Sequence, residues 1–473
     1  MAQVQENKMG IMPVNKLVVT MSVPIIVAMI VQALYNVVDS YFVSLVSAEA
    51  LTAVGQAFSA QNLMIGMATG TGVGMNALLS RALGQKDHRL ANRIACNGLL
   101  IAAAFYVLML LFGLFGTDIY FQGMLSAAQV DGGLNLDLVR QYGNDYLRVC
   151  SVFSFGMFGQ IMFERIMQAT GRTVYTMFTQ GVGAIINIIL DPIFILEEVP
   201  IFHFKGLNMG AAGAAYATVI GQIVAFIFGV ILNIAVNKEI QLKLKGFLPD
   251  FKIIGNICEI GIPSIIMVAI GSVMYYLMNI IIMAVSSIGA TVFGVYYKLQ
   301  SFVFMPVFGL NNGVIPILGF NYGAGKRKRF TKAIFLSCIY ALVFMVIGVV
   351  LMQLIPDKLL GLFELNEGEM ALRIISLSFV FAGVSICLSS VFQALSKGMY
   401  SMFISIARQL VVLVPVAWVL SLSGDVNLIW WAFPIAEAAS FCFTGILYLV
   451  VHKKIISKIP ENGYETQNAL EQE

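Results

Sequence analysis

Twelve apolar runs, each long enough to cross a bilayer, constrain this chain more than any other feature. A helix spans the hydrocarbon core with roughly 17 to 25 residues. Residues 16–43, 51–80, 93–115, 143–167, 174–196 and 209–236 meet that length in the first half, and 253–285, 290–320, 331–354, 370–394, 401–422 and 428–452 in the second. No water in that core can satisfy stray backbone groups, so such runs fold as helices. The expectation is an all-α integral membrane protein with twelve transmembrane helices. Several runs exceed a perpendicular crossing, which implies tilt or protruding ends. With 59% hydrophobic and 11% charged residues, the chain stands far from the roughly 45–50% and 25% of soluble domains. The first run is too long for a signal-peptide core and no small-residue cleavage site follows it, so it reads as mature structure.

The net charge of +3 is too small to suggest a nucleic-acid partner, and its placement says more than its sum. Lys and Arg gather in alternate connections: Arg81, Lys86, Arg89 and Arg93; Arg165 and Arg172; Lys238, Lys243, Lys245 and Lys252; "GKRKRFTK"; Lys397 and Arg408; and "HKKIISK". The other connections, such as "GTDIYFQGMLSAAQVDGGLNLD" and "LEEVPIFHFKGLNMG", are poor in basic residues. By the positive-inside rule both termini are cytoplasmic. Six cysteines stand singly in helices with no CxxC, and they read as packing residues rather than a disulfide frame or metal knuckle.

The second half repeats the first. At an offset of 239, "VPIIVAMIVQALYNVVD" falls on "IPSIIMVAIGSVMYYLM", with Pro24 on Pro263, Gln61 on Gln300, Gly70 on Gly309, Gly74 on Gly313 and Gly84 on Gly323. Further on, "QATGRTVYTMF" matches "QALSKGMYSMF" at an offset of 225. Six spans per half is even, so the halves are parallel repeats: two six-helix bundles related by a pseudo-two-fold axis along the membrane normal, with substrate expected in the cleft between them. The division is an N-terminal lobe at 1–236, a cytoplasmic connection at 237–252, a C-terminal lobe at 253–452 and a cytoplasmic tail at 453–473. Gly66, Gly70 and Gly74 form a small-residue stripe that suits close helix packing. A phosphate-cradling reading of "GTGVG" lacks the preceding strand it requires.

Polar residues inside the apolar runs mark the chemistry. Gln32, Asn36 and Asp39 recur at i, i+4 and i+7 on the first helix, with Tyr35 beside them. An unpaired charge in hydrocarbon costs about 3 kcal/mol or more, so this stripe should face protein or a wet cavity. On the fifth helix "GAIINIILDP" sets Asn187 and Asp191 on one face, and Pro192 frees a carbonyl one turn back. A rise of about 1.5 Å per residue sets Asp39 and Asp191 roughly 8 to 10 Å below the outer surface, with Thr218 of the sixth helix at a similar level. Two acids, an amide and a hydroxyl suit a hard monovalent cation or a shared proton, because two adjacent carboxylates cannot both stay ionised unpaired. The alternative is that the acids snorkel to the outer interface or satisfy a neighbouring helix end.

In the repeat registers Asp39 pairs with Met278 and Asp191 with Val416, so the lobes have diverged. Glu437 stands deep in the second half and either attracts a cationic substrate or serves as a structural partner. Glu164 and Glu259 lie near inner ends beside basic loops, where ion pairing is expected. A cavity wall rich in Met, Phe and Tyr is adaptable and can hold a cation over ring faces. The three histidines, His88, His203 and His452, fall in or near loops, and no enzyme motif or ATP-binding domain is present. The energy source is then an ion gradient.

With "VPIIVAMIVQALYNVVDSYFV", "SRALGQKD", "QATGRT", "NIILDPIFI", "GAAGAAYATVIGQ" and "GFNYGAGKRKR" in place, the chain resembles the multidrug and toxic compound extrusion (MATE) family over nearly its whole length, within the DinF-like bacterial and archaeal branch. The resemblance implies a V of two bundles in the plasma (inner) membrane of a prokaryote, surrounded by lipid and acting as a monomer. It implies exchange of H+ or Na+ for small organic, often cationic or aromatic, drug-like compounds, with no cofactor beyond that ion. The coupling ligands carry over to Asp39, Asn187, Asp191 and Thr218, which would also hold Na+ if sodium is used. Gln32, Tyr35, Asn36 and Glu437 are the cavity candidates. The other main branch uses acids on helices 7 and 10, and helix 7 here has none at its middle. A flippase for lipid-linked saccharides is the alternative within the superfamily, and it would need Arg or Lys at mid-membrane. A receptor or scaffold without turnover is the alternative outside it.

Overall fold

The computed structural model describes residues 7–127, 135–199, 205–242, 247–365, 367–461 and 463. His203, Lys243 and Lys245 lie outside them, as does most of the tail beyond residue 461. Among the described residues ten helices are long and apolar enough to cross a membrane, and two bent pairs bring the spans to twelve. The first six are Val14–Ser44, Ala48–Gly84, His88–Phe115, Leu136–Val152 with Phe155–Ala169, Thr173–Ile195 and Gly210–Val236. The second six are Phe251–Met283, Ser287–Gly323, Arg327–Leu354, Glu369–Ser376 with Phe379–Ala394, Gly398–Ser421 and Val426–Lys458. They are called spans 1 to 12. The connection after span 3 opens with a further helix, Thr117–Ala127, which hydropathy alone does not mark.

Local chemistry repeats between the halves. Ser47 caps span 2 and its counterpart Ser286 caps span 8, each accepting from the backbone N–H three residues on. The turns after those spans place Lys86 and Gly325, again counterparts, at φ 59° and 69°. Spans 4 and 10 bend by 47° and 45°. At each bend a serine donates to the carbonyl three residues back, Ser154 to Ser151 at 2.8 Å and Ser378 to Ile375 at 2.6 Å, holding a turn where the ladder breaks. Pro24 inside span 1 leaves the Thr20 carbonyl without its helical donor, and Thr173 of span 5 donates to it at 3.3 Å.

The halves meet through spans 1, 2, 7 and 8, and the contacts are reciprocal. A Cβ on Gly70 would lie 2.6 Å from Ile265, and one on Gly309 would lie 2.6 Å from Ile26. One on Gly84 would meet the Phe320 carbonyl at 2.1 Å, and one on Gly323 the Arg81 carbonyl at 2.1 Å. Each pair maps onto the other at the offset of 239, which is the signature of a two-fold relation. The glycine stripe of span 2 therefore packs against span 7: a Cβ on Gly74 would lie 2.4 Å from the Ile257 carbonyl.

Burial shows where the bundles separate. Span 2 is buried nearly all round from Gly70 to Gly84, and span 8 from Gly313 to Gly323, whereas the opposite ends of both keep exposed faces. The lobes are pressed together at the basic end and splayed at the other. A short strap before span 1 crosses the closed end. Asn7 donates to the Thr170 carbonyl of the first lobe at 3.2 Å. Arg329 of the second lobe donates to the carbonyls of Met9 and Met12 at 3.1 and 2.6 Å. Arg327 bonds Ser457 and pairs with Glu461 at 2.6 Å, so both described ends of the chain sit on this face.

Candidate ion-coupling site

The polar side chains of the first lobe gather where spans 1, 5 and 6 meet. Gly221 of span 6 permits the approach: a Cβ there would lie 2.7 Å from the Gly183 carbonyl of span 5. Thr218, one turn before Gly221, is thereby brought to Asn187. The Asn187 amide donates to Asp191 Oδ1 at 3.1 Å and to Thr218 Oγ1 at 3.3 Å. Span 5 stays helical through Pro192 to Ile195, so Asp191 and Asn187 keep one face, at 0% and 2% exposure.

From span 1, Asp39 is buried, and Asp191 lies within range of its charge. Tyr35 lies beside Gln32 and within electrostatic range of Asp39, Asp191 and Glu164. Asn36 is exposed. Three residues that sequence reading did not assign complete the surroundings. Gln61 of span 2 donates to the Tyr146 hydroxyl at 3.2 Å and to Cys150 Sγ at 3.3 Å, and both acceptors feel the Asp39 charge. Cys150 is thus a polar neighbour of the site as well as a packing residue. Tyr146 and Cys150 share a face at i and i+4, but nothing in the spacing says what that face meets.

Three oxygens in this neighbourhood, Asp39 Oδ1, Asn187 Oδ1 and Asp191 Oδ2, are buried with no hydrogen-bond partner among the described residues. Native interiors rarely leave such atoms bare, and a carboxylate without a partner is the costliest case. A proton on one acid, or a monovalent cation among the oxygens, would satisfy them.

Glu164 differs from expectation. It is not paired with a basic loop but buried against span 5, where Gln160, Thr179 and Gln180 donate to its two oxygens at 3.0 to 3.1 Å. Its neighbour Arg165 turns to the interface between lobes, bonding Gln168 and, across it, Asn312 at 3.1 Å. Glu259 is exposed. In the second lobe Arg408 lies inside span 11 rather than in a connection, and its guanidinium bonds Glu437 at 2.9 Å. Met278, the counterpart of Asp39, is fully buried.

The MatE family model matches residues 24–193 and 263–419, the two matches beginning at Pro24 and Pro263. The chain belongs to the MATE family. It is a membrane transporter and not an enzyme. Multidrug export protein MepA of Staphylococcus aureus (strain MRSA252) is 23% identical over 446 residues, 93% of this chain and 94% of that protein. MepA of Staphylococcus haemolyticus is also 23% identical, over 92% of this chain and 94% of its own length. The outward-facing structure of a multidrug resistance MATE family transporter of the MOP superfamily superposes with a TM-score of 0.85 at 23% identity, covering 96% of this chain and 100% of that one. A MOP superfamily transporter from Pyrococcus furiosus, for which a reversed pocket polarity is said to suggest a different function, gives the same score, identity and coverage. This MATE chain therefore has the family's fold of twelve spans in two six-helix bundles.

Proposed function

We propose that this MATE protein exports small organic compounds, cationic or aromatic in character, in exchange for H+ or Na+ by alternating access. The observation that carries the reading is the set of three unpartnered buried oxygens on Asp39, Asn187 and Asp191. An ion arriving from outside occupies them, with Thr218 beside it, and favours the state that releases drug outward. Return of the ion inward resets the cycle. The multidrug export proteins among the relatives support the substrate class, and the residue match to the DinF-like pattern supports the ligand set. The sealed end carries the basic residues, so by charge asymmetry it faces the cytoplasm with both termini, in the plasma (inner) membrane of a prokaryote, and the splayed end opens outward. A lipid-linked saccharide is a poorer fit, because a pyrophosphate needs several free cations and the single charge of Arg408 is already balanced by Glu437.

Dye export from proteoliposomes under separately imposed pH and Na+ gradients tests the proposal. One gradient should drive export and the other should not. Export driven by neither would overturn ion coupling.

A further inference from the structure

The second lobe holds a charged pair that the coupling site does not use. Span 11 widens into a π-helix over Ala407–Leu413, a distortion that recurs at functional sites. Arg408 lies in it, ten residues past Gly398, or about 15 Å along the span. An arginine at that depth is costly unless it is engaged. Glu437 engages it by a single bond, Nη1 to Oε1 at 2.9 Å, although guanidinium and carboxylate commonly pair through two parallel bonds. Arg408 Nε and Glu437 Oε2 are buried with no partner among the described residues, while the two side chains keep 24% and 15% exposure. The pair is half used, and its reachable part is the rest of the guanidinium rather than those two buried atoms.

Beside it stands an aromatic wall. The Tyr275 and Tyr297 rings lie 4.7 Å apart, Tyr275 stacks on Phe293 at 5.2 Å, and Phe293 meets Phe433 at 5.9 Å. Tyr297 is within electrostatic range of Arg408, and Tyr296, whose buried hydroxyl has no partner among the described residues, is within range of Glu437. An organic cation would have to break the existing pair, because the second Glu437 oxygen, Oε2, is buried. A carboxylate needs only Arg408 Nη2, the guanidinium nitrogen that is neither bonded among the described residues nor buried, and a flat ring attached to it can lie against Tyr275 and Tyr297.

We propose that the second lobe binds aromatic organic carboxylates, held by Arg408 Nη2 against the Tyr275–Tyr297 wall. This extends the range of ligands beyond cations and stands apart from the ion-coupling reading, since it is read by binding without transport. The probe is 1-naphthoate, titrated calorimetrically into the full-length protein in nanodiscs. Octanoate serves as a lipid-like carboxylate and 1-naphthylmethylammonium as the cationic counterpart. Wild type should bind naphthoate at least about tenfold better than octanoate, and Arg408→Gln should weaken naphthoate about tenfold or more without affecting the ammonium. Glu437→Gln frees the whole guanidinium and should tighten naphthoate binding. That opposite sign separates a ligand site from a structural ion pair, whose loss weakens binding in both variants. Weaker binding in Glu437→Gln, no binding by wild type, or equal binding of octanoate would overturn the proposal.

Discussion

Asp39 and Asp191 are held in a medium that penalises charge, and whatever neutralises them sets the work they do. Asp39→Asn keeps size and shape and removes a buried carboxylate with a bare oxygen. Its melting midpoint should match or exceed wild type, while gradient-driven dye export is lost; export at the wild-type rate would place coupling elsewhere. Thr218→Ala removes one acceptor of the Asn187 amide, a change of about 1 kcal/mol. It should weaken the apparent affinity for the driving ion several-fold while leaving maximal export nearly intact, as read from export against ion concentration. The four first-lobe residues were legible because each breaks an apolar run, and helical spacing assigns Asn187 and Asp191 to one face. Gln61, Tyr146 and Cys150 were not. Their role depends on which helix packs opposite, and a period of 3.6 residues carries no information about that. Arg408 was misplaced for a related reason: a basic residue near a span end reads as loop until its acidic partner on another helix is known.

At the scale of the helix, hydropathy gave every span with its ends no more than seven residues off, the start of span 4 being the widest miss, because the length of an apolar run is fixed by the bilayer. The bends in spans 4 and 10 left no comparable mark, since the ladder breaks at Ser154 and Ser378 without a proline. The glycine stripe was legible as a packing device, yet the element it packs against was not. Its position makes a graded prediction possible. A Cβ on Gly74 would lie 2.4 Å from the Ile257 carbonyl, a backbone atom that cannot swing aside, whereas one on Gly55 of the same helix would meet nothing within 4 Å. Gly74→Ala should destabilise by about 1–3 kcal/mol through forced separation of spans 2 and 7. Gly55→Ala should be neutral or stabilising by about 0.5–1 kcal/mol, the ordinary helical preference for alanine. Thermal midpoints in one detergent give the ranking, and a Gly74→Ala protein as stable as Gly55→Ala would mean the helices are not in that contact.

For the whole molecule, the repeat offset already implied two like halves, and the reciprocal contacts of Gly84 with Phe320 and Gly323 with Arg81 show them facing each other across a two-fold axis. What the sequence could not supply is the state. Nothing in a repeat says which end is shut, because the same helices serve both states. Here the basic end is shut, and the alternating access proposed for this protein requires the same contacts to part in every cycle. Gly319 and Ser80 provide a lock at that seam: a Cβ on Gly319 would lie 3.2 Å from Ser80 Cβ, close to the roughly 3.5–4.5 Å that a disulfide spans. With the six native cysteines replaced, Ser80→Cys combined with Gly319→Cys should cross-link under mild oxidant and stop dye export by well over tenfold. Reductant should restore it, and each single-cysteine protein should be unaffected by either treatment. If the cross-linked protein went on exporting at full rate, the seam between spans 2 and 8 would not open during transport, and the passage of substrate would have to run through one lobe rather than between the two.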